Sequence, residues 1–367
     1  MAGRTIGVEE ELLVVDPSTG RPVPLAADVL GADPRDEDAG VDDRPVEGEL
    51  MRQQVEVQTK PCATLGELSD EIAGERATVA DLAAGQGVAV APLATSPFDV
   101  DHVLTAKTRY RRLAERFGPI VEAQLVCGCH LHVVISSRDE GVAVLDRIRP
   151  WLAPLLAISA NSPYWRGDDT GYASYRSPVW SRWPSAGPTE EFGSAQAYDA
   201  AVQTLVDSGS ALDRAGTYFD VRLAVEHPTL EIRVADVCLD VDSAVLLGAL
   251  ARGLVEWAVA GWEASQPVPR VRTELLRAAS WRAARFGLTG KLLDPDDLRP
   301  APAADVVWRL VELVRPALAG YGDEAYVEKL VEQVLANGTG SERQRAAVAE
   351  SGRLGDAVAL AVAHMRQ

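Results

Sequence analysis

The chain has 367 residues, 47% hydrophobic and 25% charged, so it can bury a large core, and its formal net charge is −18. That charge, with no Lys/Arg cluster beyond a helix-surface stripe, argues against a nucleic-acid partner, whose phosphates it would repel. No window of about 20 residues is free of charges and breakers as a membrane span requires, and the apolar stretches 152–160 and 244–250 read as core helices.

The N-terminus lacks the basic start and apolar run of a signal peptide, so a cytoplasmic location is expected. Cys62, Cys127, Cys129 and Cys238 form no CxxC pair and read as reduced thiols.

Taken in chain order, residues 4–16 alternate as a strand, and the acidic, Gly- and Pro-containing 28–47 read as a loop. Residues 50–59 alternate again. Thr64 and Glu67 make a capping box that opens a helix to about Gln86. A short strand is expected at 88–93 and a charged helix at 106–117. Residues 120–136 give the longest strand signal. A helical stretch at 141–161 is broken by Pro150 and Pro154.

Residues 162–193, rich in Trp, Tyr, Arg, Ser and Pro, are irregular, and a helix is expected at 194–208. Strands at 217–226 and 229–236 turn at His227-Pro228 as an antiparallel pair. From 240 onward the pattern is helical with Pro-containing connectors at 266–269 and 295–302. No composition shift divides the chain, so one α+β domain over 1–367 is expected.

Strand residues two apart share a face. In 120–136 the odd positions are apolar, while Glu122, Gln124, Gly128, His130, His132 and Ser136 lie opposite. Ile6, Val8, Leu12 and Val14 likewise oppose Glu9 and Glu11. Val55 and Val57 oppose Gln54, Glu56 and Gln58. Leu230, Ile232 and Val234 oppose Glu231 and Arg233.

Any one such face is ordinary for a solvated antiparallel sheet. Four together, with few interspersed cations, ask for a positive partner, and hard divalent cations suit such oxygen-rich sets. Glu49 is off the strand phase and would reach the site only from the strand entry or a bulge. His130-x-His132 spacing fits zinc poorly, because no Cys or third His accompanies it on that face. Cys127 and Cys129 fall on the apolar face. There is no Walker loop, GxGxxG or GxSxG elbow. In the 162–193 stretch Arg176 is the first choice to hold a substrate carboxylate, with Tyr172 beside it.

Seven segments stand out in chain order. The first four are Thr5-Ile-Gly-Val-Glu-Glu-Glu-Leu-Leu-Val-Val-Asp-Pro17, Glu56-Val-Gln-Thr-Lys-Pro-Cys62, Gly128-Cys-His130-Leu-His132-Val and Ala160-Asn-Ser-Pro-Tyr-Trp165. Then come Glu231-Ile-Arg233-Val-Ala-Asp236, Trp281-Arg-Ala-Ala-Arg-Phe-Gly287 and Gly338-Thr-Gly-Ser-Glu-Arg-Gln-Arg345. Together, in that order, they resemble the second glutamate–cysteine ligase family, the carboxylate–amine ligases.

The resemblance implies a glutamine-synthetase-like fold, a curved antiparallel sheet with helices on its convex face. It implies metal ligation by Glu9, Glu11, Glu49, Glu56, His130 and Glu231, with Mg²⁺ or Mn²⁺ and ATP as cofactors. Glu231 and Arg233 would act in catalysis. Arg233, Gln54 and Arg285 would contact nucleotide, and Arg176, Tyr172 and His132 substrate. The implied reaction phosphorylates the γ-carboxylate of glutamate, which the amine of cysteine then attacks; a homodimer is also implied. Alternatives are the same chemistry with another amine, or a catalytically silent binding or scaffold protein. Val134 and Ala278-Ala279 depart from the family's Gly and Glu-Asn.

Overall fold

The computed structural model describes residues 3–31 and 46–366. Alternating residues draw Ile6–Val15 into strand β1, followed by β2 (Val46–Gly48), β3 (Gln54–Gln58), β4 (Ala89–Ala91) and β5 (Gly128–Val134). β6 (Tyr164–Trp165) and β7 (Asp168–Asp169) form a small hairpin. β8 (Val221–Leu223) and β9 (Thr229–Asp236) return to the main sheet, and β10 (Lys291–Leu293) pairs with β11 (Pro300–Pro302). Among the described residues the main sheet runs β2-β3-β1-β5-β9-β8, with β4 also on β1. All its pairings are antiparallel.

One face of this sheet is the apolar one expected: Ile6, Val8, Leu131, Val133, Leu230 and Ile232 are buried in a single core. Helices Leu152–Ser159 and Val241–Glu263 pack on it. The second of these is long and apolar enough to cross a membrane, but 83% of its most apolar window is buried inside the protein. It is apolar all round because neighbours surround it.

Glu10 also falls on the core face, and Arg76 of helix Leu65–Gly85 neutralises it through two bonds of 2.7 and 2.6 Å. Arg76 turns its remaining donors to the carbonyls of Cys238 and Leu239. The same helix opens on the expected capping box, with Thr64 and Glu67 exchanging bonds of 3.1 and 3.0 Å.

Several expectations are corrected. The strand expected over 120–136 is confined to Gly128–Val134. Pro119 starts a short helix, Pro119–Glu122, after Gly118 at φ 52°, so Glu122 sits exposed and off the site face. Proline at a first helical position has no N–H to waste, and this local signal outweighed the alternation. The strand expected over 217–226 is only Val221–Leu223. The 28–47 loop lies largely outside the described residues, but Ala26–Leu30 is helical and Val46–Gly48 is a strand. Residues 162–193 contain the β6–β7 hairpin and a short helix, Arg176–Trp180. The 295–302 connector holds β11.

Candidate active site

The other sheet face lines an open cavity of about 990 Å³. Its floor follows from strand register. Glu11 on β1 stands opposite Glu56 on β3, and Glu56 opposite Glu47 on β2. Glu9 stands opposite His130 on β5, and His132 opposite Glu231 on β9. The β5–β9 register shifts between Cys129 and Leu131, a bulge; Arg233 still lines the cavity.

Two ligand-competent clusters result. In each, one ligand atom per residue lies within 4.8 Å of the others: Glu9, His132 and Glu231 in one, Glu11, Glu49 and Glu56 in the other. Glu49 arrives from the bend after β2. Its backbone carbonyl accepts from Thr105 Oγ1 at 2.6 Å, and its carboxylate accepts from Leu50 N at 2.6 Å.

In the first cluster Glu9 holds His130 Nδ1 at 3.1 Å and stands 3.2 Å from His132 Nε2. His132 Nδ1 meets Thr229 Oγ1 at 2.9 Å, so this histidine is buried and engaged rather than a surface residue. Burial pushes the Glu9 carboxyl up, but the two imidazoles outweigh it and hold it well below the usual range. Burial pushes His132 down, and Glu9 raises it on balance. Glu231, 1% exposed, is gripped by Arg222 through bonds of 2.6 and 3.1 Å and also touches Arg233. Burial alone would raise its pKa; the two guanidiniums depress it instead.

In the second cluster burial outweighs the compensation. Burial, then the charges of Glu9 and Glu49, push Glu56 well above the carboxylate range. Burial also raises Glu11, whose carboxylate accepts from Gly128 N at 2.5 Å. Three carboxylates crowded without a cation among them, beside a His130 Nε2 that has no partner among the described residues, fit a hard divalent ion.

Of the residues singled out from sequence, Glu9, Glu11, Glu49, Gln54, Glu56, His130, His132, Glu231 and Arg233 all line this cavity. Arg176, Tyr172 and Arg285 do not. Arg176 is 2% exposed. A side chain at Gly128 would meet its guanidinium at 2.3 Å, and it lies 4.0 Å from Asp236. Arg285 stacks 5.3 Å from the Tyr172 ring, and the Tyr172 hydroxyl accepts from Trp281 at 3.2 Å. Cation–π packing between loop and helix takes up both residues.

Sequence reasoning missed Arg222, Arg109, Tyr110, Trp180 and Tyr218, all of which line the cavity, as does Gln124, which alternation placed on this face without a role. Arg222 was only partly within reach: a two-residue turn at 227–228 would set it opposite Arg233 on this face, whereas the observed register sets it opposite Glu231. The aromatic residues come from loops and helices, where no period fixes facing. Of the two departures from the family pattern, Val134 lines the cavity and Ala279 is in the core.

The family model for glutamate–cysteine ligase family 2 matches residues 5–360. A curated relative from Frankia alni, provisionally named glutamate–cysteine ligase 2-2, is 48% identical, covering 98% of this chain and 96% of its own. One from Streptomyces coelicolor, provisionally named glutamate–cysteine ligase 2, is 49% identical and covers 98% of both. Among solved structures, glutamate–cysteine ligase from Francisella tularensis in complex with AMP superposes with a TM-score of 0.70 at 14% identity, covering 100% of this chain and 90% of that one. A bifunctional glutathione synthetase from Pasteurella multocida gives 0.68 at 15%, covering 99% and 52%. These two likenesses establish the fold as that of a glutamate–cysteine ligase. The chain belongs to glutamate–cysteine ligase family 2, and so to the ATP-dependent carboxylate–amine ligases.

Proposed function

We propose that this ligase joins the γ-carboxylate of glutamate to an amine, L-cysteine first among candidates, using ATP and Mg²⁺ and releasing ADP and phosphate. The observation behind this reading is the meeting of two carboxylate-rich clusters and Arg233 on one largely buried sheet face. Held by Glu9, Glu11, Glu49, Glu56 and Glu231 of those clusters and by His130, which bonds Glu9 beside them, Mg²⁺ or Mn²⁺ would neutralise phosphate charge.

A carboxylate resists an amine because its oxygen leaves poorly. Transfer of the γ-phosphoryl group to that oxygen makes an acyl phosphate. The amine nitrogen then bonds to the carbonyl carbon and the C–O bond to phosphate breaks. The chain's part is positioning and charge. Arg222 holds Glu231 in place, and Arg233 offers its planar fork to the transferring group.

A different amine acceptor is the second reading. Arg109 and Arg222 are already held by Asp213 and Glu231, which leaves few lining cations for an acceptor's own carboxylate. The resemblance supports a homodimer, and a cytoplasmic location completes the reading.

Oxygen-18 placed in the γ-carboxylate of glutamate is expected in the released phosphate, with ADP formation requiring glutamate. Amide formed with AMP release, or phosphate without label, would sink the acyl-phosphate route. Glu56→Gln keeps shape and removes one of the crowded charges. It should weaken Mg-ATP binding by calorimetry about tenfold or more. In metal-free protein at neutral pH it should raise the thermal midpoint. A carboxyl whose folded pKa is raised costs stability once pH exceeds its unfolded value, and the amide removes that cost. Unchanged Mg-ATP affinity would remove Glu56 from the ligand set.

A further inference from the structure

Gln53, Gln54 and Gln124 are all buried to 2% exposure or less. Gln53 uses both ends of its amide: Nε2 donates to Asp101 O at 2.6 Å and Oε1 accepts from Val103 N at 3.1 Å. Its two counterparts use only one end. Gln54 Nε2 donates to Val126 O at 2.8 Å, and Gln124 Nε2 donates to Val179 O at 3.2 Å. Neither Oε1 has a hydrogen-bond partner among the described residues.

Flipping either amide would set its oxygen against a backbone carbonyl, so the chemistry decides the orientation. Buried side-chain acceptors are ordinarily satisfied, and two exceptions in one place call for a donor. Both side chains line the active-site cavity. They are tied to one stretch of chain, since Gln54 is anchored on Val126, two residues beyond Gln124. Glu11, Glu49 and Glu56 in the same wall are taken up by the metal in the reading above and offer the two amide oxygens no donor. The complement to such a wall is a group with several N–H donors and no acceptor.

We propose that Gln54, in place of the nucleotide contact expected of it, and Gln124 form an acceptor pair for the amino group of an amine-bearing substrate. The inference rests on the ligase reading above, which supplies two such groups: the α-ammonium of glutamate and the nitrogen of the acceptor amine. Hydrogen bonds to a charged donor are among the stronger ones, so loss of one or two should weaken binding about 10- to 100-fold.

The test is calorimetry on the full chain with Mg²⁺ and a non-hydrolysable ATP analogue, comparing wild type with Gln54→Met and Gln124→Met. The titrants are L-glutamate, glutarate (the same dicarboxylate without the amino group), L-cysteine and a panel of simple primary amines. If the pair holds the α-ammonium, the variants lose affinity for glutamate about 10- to 100-fold while glutarate binds as before. If it holds the acceptor amine, the loss falls on cysteine or the amines, and glutamate and glutarate are unmoved. The glutamate-to-glutarate ratio does not depend on the fraction of protein folded, so a merely structural role leaves it unchanged. Wild-type affinities in both variants, or equal weakening of glutarate and glutamate, overturn the inference alone. A wild type that binds none of these titrants overturns it together with the ligase reading.

Discussion

Arg233→Lys should lower kcat about 10²- to 10³-fold, the scale seen when one preorganised donor to a developing charge is removed. Arg233 is 7% exposed, lies 5.6 Å over the Trp180 ring, touches Glu231, and keeps an Nε with no partner among the described residues. Ring and carboxylate together fix the plane of the guanidinium before any substrate arrives. Lysine keeps the charge but presents a point donor on a flexible stem, so it can still attract a triphosphate without matching two oxygens at once. The effect should therefore fall on turnover more than on nucleotide binding, with the KM for ATP moving by less than about threefold. Steady-state ADP release with glutamate and amine saturating measures both. A kcat near wild type, or a loss confined to KM, would take Arg233 out of the transferring group's surroundings.

The largest stability effect is expected on the face of β1 turned from the cavity, at Glu10. Its pair with Arg76 is bidentate, both partners are 2% exposed or less, and it joins helix Leu65–Gly85 to β1. Breaking a buried pair from one side strands the other charge, which costs about 3–5 kcal/mol. Glu10→Ala should therefore lower the urea midpoint sharply. The double change Glu10→Leu with Arg76→Leu should recover much of the loss, because no uncompensated charge remains. Arg76 also serves the carbonyls of Cys238 and Leu239, so recovery should be incomplete. A Glu10→Ala protein that unfolds at the wild-type midpoint would show the pair to be dispensable. Because Glu10 and Glu9 are neighbours on opposite faces of one strand, loss of β1 should also cost metal binding.

What the sequence determined by itself was whatever a period of two can carry. Alternation put Glu9, Glu11, Gln54, Glu56, His130, His132, Glu231 and Arg233 on one face, and all eight line one cavity. The capping box at Thr64 was equally legible, because its parts lie three residues apart and act locally. The order of motifs along the chain was enough for the family, which the match over residues 5–360 shows. Tertiary structure decided the rest. Glu49 reaches Glu11 and Glu56 because the bend after β2 brings it there, and no pattern encodes a bend's direction. Arg176 was read as a substrate contact on its neighbours' chemistry, but the 162–193 stretch folds it against Gly128 and the Trp180 ring, behind residues that line the cavity rather than among them. Tyr172 and Arg285 pack on each other instead of facing the cavity. Gln124 and Tyr218 were expected in strands over 120–136 and 217–226, but both lie outside the strands that form and enter the cavity from irregular segments. A strand's facing follows from its pleat, whereas a loop residue's facing follows only from which long-range contacts close around it.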